Sequence, residues 1–323
     1  MREFIDDKGF YLINIPESWV YYLRDSKVHS FNDINGAGVF QISFNEKTKQ
    51  GEKNRNNLMR MGTATKFGDL SLSKISGPRD DKLNIDIWIG EIDKYFITIT
   101  FTYDKEPKDK DKLVDELNIL PDTISSIKLI PESDRNKTLV SYRLRQFLKG
   151  IAATNDLLNN AVGHKSFIEA VIIIANRIDA LLRTGLILKQ QLIQNNSVIE
   201  LKFLYQGNTD SVIMEKEVYK QAMELKIIDN QLYDSLIGLY GERNKVVHRY
   251  IISDITTAQI DNIARRYFRV SEKVRDAIVR LEDEQIQKGI GMTVKGPPKN
   301  NTEIDETMKS WLAEKHGGIA FDE

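Results

Sequence analysis

Four residues in one short stretch have the types and spacing to do chemistry together: Arg243, Asn244, His248 and Tyr250. Arginine presents a planar, permanently charged fork that fits a phosphate. Histidine titrates near neutral pH, so it can take a proton from a ribose 2′-OH or give one to a leaving oxygen. Asparagine can orient either of them. These groups suffice for metal-independent cleavage of RNA by attack of the 2′-OH on the adjacent phosphate, with Arg243 stabilising the charge that develops on phosphorus. No metal ligand set and no cofactor motif accompanies them.

The element that must position them reads as one helix from about Asn230 to Ile252. Its apolar residues, Leu232, Leu236, Leu239, Val246, Val247 and Tyr250, recur at helical spacing. At about 100° per residue, Arg243 falls inside that stripe and His248 lies about 140° away from it. Asn244 and His248, four apart, share a face. Arg243 is therefore expected to tuck toward the protein body, with His248 on a neighbouring surface. One helix does not bring the pair onto one target. Two copies related by a two-fold axis can, because each supplies a face to a shared cleft.

An Arg, a polar residue directly after it, a His five positions after the Arg and a Tyr two later together resemble the Arg-x4-His-x-Tyr signature of the HEPN superfamily. The resemblance covers about half the chain. It implies an all-helical domain that dimerises and builds a composite ribonuclease site, with Arg243 and His248 in the catalytic places and Asn244 beside them. It further implies a role as a toxin or antiviral defence effector. Tyr250 matches the tyrosine of HEPN toxins that a partner nucleotidyltransferase modifies by adenylylation. Two other readings stay open. The stretch can be a plain surface helix with a paired Arg and a solvated His, or a HEPN-like domain that binds rather than cuts.

The rest of the chain bounds these readings. With 323 residues there is room for two domains, each with its own core. The absence of cysteine excludes disulfides, thiol catalysis and Cys-based zinc sites, and fits a cytoplasmic protein. Met1 to Asp7 is polar and charged, unlike a secretory leader. The longest apolar run, Ala170 to Ala175, is far short of a membrane span. A net charge of −1, with both halves near neutral, leaves non-specific nucleic-acid binding weak, so RNA contact needs a local patch. Arg265, Arg266, Arg269 and Lys273 on a late helix are the candidates. Interleaved Glu272 and Asp276 allow a plain solvated face instead.

The expected fold class is α+β: an N-terminal antiparallel-sheet sandwich domain (1–130), an all-α bundle (135–290) and a tail (291–323). In the first domain, Tyr11 to Ile15, Val39 to Phe44, Leu70 to Ile75, Leu83 to Ile89 and Tyr95 to Tyr103 read as strands. Leu70 to Ile75 alternates strictly, and Leu83 to Ile89 and Tyr95 to Tyr103 also alternate, which gives one buried and one wet face. Gly90 to Lys94 suggests a hairpin. Asn54 to Met61 and Lys110 to Leu120 read as covering helices, and Ile124 to Leu129 can extend the second or add an edge strand. The order "Ile-Pro-Glu-Ser-Trp, sheet, charged helix, Ser-Ile-Lys" resembles the PsbP-like class of small α/β domains, which implies a binding or adaptor module for an unknown ligand or protein. Trp19 and Trp88 can line a pocket or fill a core, and His29 reads as a surface residue.

In the second domain the period switches to 3.6. Helices are expected over Thr138 to Asn160, Ser166 to Gln194, Met214 to Lys226 and Thr257 to Lys288, around the motif helix, which Asp229 caps. Asn176 or Asp179 can brace Arg243 from the second of these. Asp179 can equally pair with Arg183, its i+4 neighbour. In the tail, Thr302 to Leu312 can form a short helix whose Trp311 and Leu312 dock on a partner or on the body.

Overall fold

The computed structural model describes residues 1–24, 28–47, 59–206, 211–295 and 301–316. Antiparallel sheets fill the N-terminal part and helices the C-terminal part, an α+β arrangement. The chain divides into two compact units, Met1–Leu139 and Val140–Glu323.

The first unit holds β1 (Arg2–Ile5), β2 (Tyr11–Ile15), β3 (Trp19–Arg24), β4 (Val28–Asp33), β5 (Gly38–Glu46), β6 (Thr63–Phe67), β7 (Leu70–Pro78), β8 (Leu83–Ile92), β9 (Tyr95–Asp104), α1 (Lys110–Ser125) and β10 (Lys128–Leu129). Seven strands form one sheet in the order β3-β4-β5-β9-β8-β7-β6, and β1-β2-β10 form a second. The alternation that reveals β5, β7, β8 and β9 in the sequence has a direct cause: Phe40, Ile42, Trp88, Ile97, Ile99 and Phe101 all point to one face. That face packs on Leu120, Ile124 and Ile127 and on Phe4, Tyr11, Ile13 and Ile15. Side chains of this size each contribute roughly 1.5–3 kcal/mol on burial.

The sequence reading lacks β1, β3, β4 and β6, and its other differences are local. β8 and β9 run on to Ile92 and Tyr95, so the turn is only Asp93 and Lys94, with Asp93 at φ 51. The strand and helix options for residues 124–129 both occur: α1 continues to Ser125 through Pro121, and Lys128–Leu129 then pairs with β2. The expected helix over Asn54 to Met61 lies outside the described residues except for a helical 59–61. Trp19 and Trp88 are core, each 3 % exposed. His29 is not a surface residue. It is half-buried among the rings of Phe4, Tyr11 and Tyr21, and its Nδ1 lies 3.0 Å from the Tyr21 hydroxyl. Burial lowers its pKa below the ordinary histidine value, against the pull of Asp6. Alternation alone could not show this, because the cover comes from other strands, β1, β2 and β3.

The second unit holds most of α2 (Arg135–Gly163), then α3 (Phe167–Gln194), α4 (Leu201–Leu204), α5 (Glu215–Glu224), α6 (Asn230–Arg249), α7 (Thr257–Lys288) and α8 (Asn301–His316). α3 packs against α5, α6 and α7. Its broad apolar face, from Ala170 through Leu188, forms the centre of the core with Tyr219 and Tyr267. α7 begins with a capping box between Thr256 and Gln259 and ends at Gly289, whose φ of 65° favours a residue without Cβ. Beyond it, the buried Gln285 and Gln191 tie the chain back. Gln285 Nε2 donates to Leu188 O at 3.0 Å and to Gln191 Oε1 at 2.9 Å, while Met292 N donates to Gln191 Oε1 at 3.0 Å. The tail helix α8 docks on α2 through Glu314, which accepts from Lys149 and from Gln146. No helix among the described residues is long and apolar enough to cross a membrane.

Candidate functional site

α6 starts where Asp229 accepts a hydrogen bond from Leu232 N at 2.8 Å. Leu236, Leu239 and Val246 are its buried residues, spaced three and seven apart, and Arg243 stands four after Leu239 on the same stripe. That spacing turns the Arg243 side chain inward, where it is 18 % exposed. The stripe is narrower than the sequence reading made it. Val247 and Tyr250 are each 39 % exposed, because Val247 sits a full 100° from Val246 and the helix ends at Arg249, before Tyr250.

Inside, Arg243 meets a partner that the sequence reading missed. Its Nη1 donates to Glu215 Oε2, and Glu215 Oε1 accepts from the Tyr219 hydroxyl. The guanidinium lies over the Tyr240 ring at 4.6 Å, and its Nη2 donates to Asn244 Oδ1 at 3.4 Å, the far edge of hydrogen-bond range. Burial alone would lower the arginine pKa. The Glu215 carboxylate outweighs it, so the net shift is upward and the charge is permanent. Burial and the same carboxylate push the Tyr219 hydroxyl well above its ordinary range, leaving it a neutral donor.

Neither of the proposed braces on α3 hydrogen-bonds Arg243. Asn176 is exposed and makes no hydrogen bond to Arg243. Asp179 pairs with Arg183 instead, accepting from its Nε at 2.7 Å, while Arg183 Nη2 holds Ile213 O at 2.9 Å. Burial raises the Asp179 pKa against the pull of Arg183, and its Oδ1 has no hydrogen-bond partner among the described residues. Glu215 wins the place because α5 packs on α6 and carries it on the same inward stripe as Tyr219, its i+4 neighbour. A glutamate in an otherwise apolar stripe (Val218, Tyr219, Ala222) is the signal that could have revealed it.

His248 is exposed and has no hydrogen-bond partner among the described residues. Five residues of helix separate it from Arg243, about 7.5 Å of rise and about 140° of turn. Within one chain the two side chains do not converge. Tyr250, just past the helix, has its hydroxyl 3.4 Å from Thr257 Oγ1. Near His248 in the chain, Val247, Tyr250, Ile251 at 92 % exposure and Ile252 at 80 % are exposed apolar residues, set among the exposed Lys245 and Arg249. A cleft of about 480 Å³ between the end of α6 and the start of α7 is lined by Glu242, Lys245, Asp254, Asn262 and Arg266, among others, but by none of the motif residues.

Two of the four basic candidates on α7 are neutralised by ion pairs. Arg265 pairs with Asp261 at 3.0 Å and Arg266 pairs with Glu242. Arg269 and Lys273 have no ion-pair partner among the described residues. The plain solvated face is therefore the better description of Arg265 and Arg266. Among the described residues, no group of three or more acidic or histidine side chains is placed to hold a metal ion.

No protein-family model matches the chain, and no curated protein matches it. Among solved structures, the solution structure of cyanobacterial PsbP (CyanoP) from Synechocystis sp. PCC 6803 is similar to the N-terminal region. It is 13 % identical, covers 40 % of this chain and 92 % of its own, and has a TM-score of 0.24. At that score the likeness carries no argument about fold or function.

Proposed function

We propose that this chain is a metal-independent RNA endonuclease of HEPN type that acts as a homodimer. The observation that carries the reading is the division of labour on α6. Arg243 is turned inward and fixed by Glu215, while His248, five residues on, stands free in solvent near exposed apolar residues. The free histidine supplies general acid and base chemistry and the fixed arginine a phosphate contact. A second copy packed on Val247, Tyr250, Ile251 and Ile252 buries exposed apolar area and brings each His248 toward the other chain's Arg243.

The test is incubation of the purified protein with total RNA in EDTA, beside His248→Ala and Arg243→Lys. Cutting by the wild type alone supports the reading, and full cutting by either variant removes it. A second reading rests on the near-neutral charge of α7, where Arg265 and Arg266 are paired. In it, the helical unit dimerises without cutting and the sheet unit binds a ligand or protein. Dimerisation without RNA cleavage is its expected result. A cytoplasmic setting and a role in defence belong to the first reading as proposals.

A further inference from the structure

We infer that Glu215, with the Tyr219 hydroxyl behind it, is a positioning residue that fixes the Arg243 guanidinium for contact with a phosphodiester. This rests on the nuclease reading of the same helix. Both oxygens of Glu215 are engaged, one by Tyr219 and one by Arg243 Nη1. Glu215 is 15 % exposed and Arg243 18 %, so the pair sits below the surface, where solvent screening is weak. The Tyr240 ring supports one face of the guanidinium. Nη1 is thus held by Glu215 and Nη2 by Asn244 at 3.4 Å, and the Nε–H has no hydrogen-bond partner among the described residues.

Two effects oppose each other. The Glu215 charge weakens the attraction of Arg243 for an anion. It also removes the rotational freedom of a long side chain, which otherwise has to be lost on binding. A fork already aimed at the developing charge acts without reorganising, and small misplacements near a reacting centre cost about 100-fold. The second effect decides, because the attraction is offset only partly while the Tyr240 ring and the long Asn244 contact alone hold the fork loosely.

The experiment compares wild type, Glu215→Gln, Glu215→Asp, Tyr219→Phe and Arg243→Ala, each checked for folding by circular dichroism. It measures kcat and KM on a fluorescent RNA reporter, and binding of a 2′-O-methyl oligoribonucleotide that resists cleavage. Glu215→Gln is expected to lower kcat about 10- to 100-fold with KM changed less than about threefold. Glu215→Asp restores part of the loss, and Tyr219→Phe gives a smaller loss in the same direction. Unchanged or increased kcat in Glu215→Gln overturns the inference, the increase marking Glu215 as a competitor of the phosphate. So does a loss that tracks the unfolded fraction. An inactive wild type removes the nuclease reading, and oligonucleotide binding then decides the role of Glu215. Matched weakening in Arg243→Ala and Glu215→Gln upholds it, and unchanged binding in Glu215→Gln overturns it.

Discussion

Glu215 and Arg243 stand 28 residues apart in the chain and form an ion pair between the first turn of α5 and the last third of α6. Each is mostly enclosed, so removing one leaves the other charged and poorly solvated. Arg243→Ala is expected to destabilise the helical unit by about 2 kcal/mol, below the full cost of a deeply buried pair because both side chains keep some solvent contact. Arg243→Ala and Glu215→Ala together should cost less than the sum of the two. Urea unfolding of the four proteins measures the cycle, and strict additivity would show that the two side chains are energetically independent.

His248, in contrast, is exposed and unpaired among the described residues. His248→Ala should leave stability within about 0.5 kcal/mol of wild type while abolishing RNA cleavage. Thermal unfolding beside the RNA assay checks both halves.

The exposed apolar residues next to His248 provide a separate test of the two-copy arrangement. Ile251 is 92 % exposed, so Ile251→Asp costs the single chain little. Placed in an interface, the same carboxylate is desolvated without a partner. Sedimentation velocity should find a wild-type dimer whose Kd weakens at least about 10-fold in the variant. A monomeric wild type counts against the arrangement.

His29 makes the stability of the sheet unit depend on pH. Burial holds its folded pKa below the ordinary 6.5, so the unfolded chain binds a proton more readily. The contribution of the neutral imidazole is complete above about pH 6.5 and is lost as pH falls below it. Asp6 acts in a separate window. Burial raises its pKa above 3.8, so it disfavours the fold as pH rises through the carboxylate range. Asp7 and Lys8 add smaller and opposite effects on His29. His29→Phe should flatten the slope of stability between about pH 5 and 7, as read by urea midpoints.

Gln285 and Gln191 are fully buried and bond to each other and to the chain beyond α7. Gln285→Leu leaves Leu188 O and Gln191 Oε1 short of a donor, at about 2 kcal/mol. Amide exchange at Met292 and Thr293 should quicken in the variant.

Much of the fold was legible because it depends on local spacing. Residues 257–288 read as a helix, and α7 has those bounds. The strands β1, β3, β4 and β6 were missed. β6 has no buried residue, so no alternation marks it. The half-buried state of His29 was also hidden, since the rings around it come from β1, β2 and β3.

By itself the sequence determined that Arg243 faces inward and His248 outward, because both follow from about 100° per residue on one helix. It equally determined the i+4 alternative for Asp179, which Arg183 takes up. Only the tertiary structure decided that Arg243 meets Glu215 rather than Asn176 or Asp179. That choice depends on which helices are neighbours, a matter of packing the whole apolar surface of the unit at once, and no spacing within a single helix carries it.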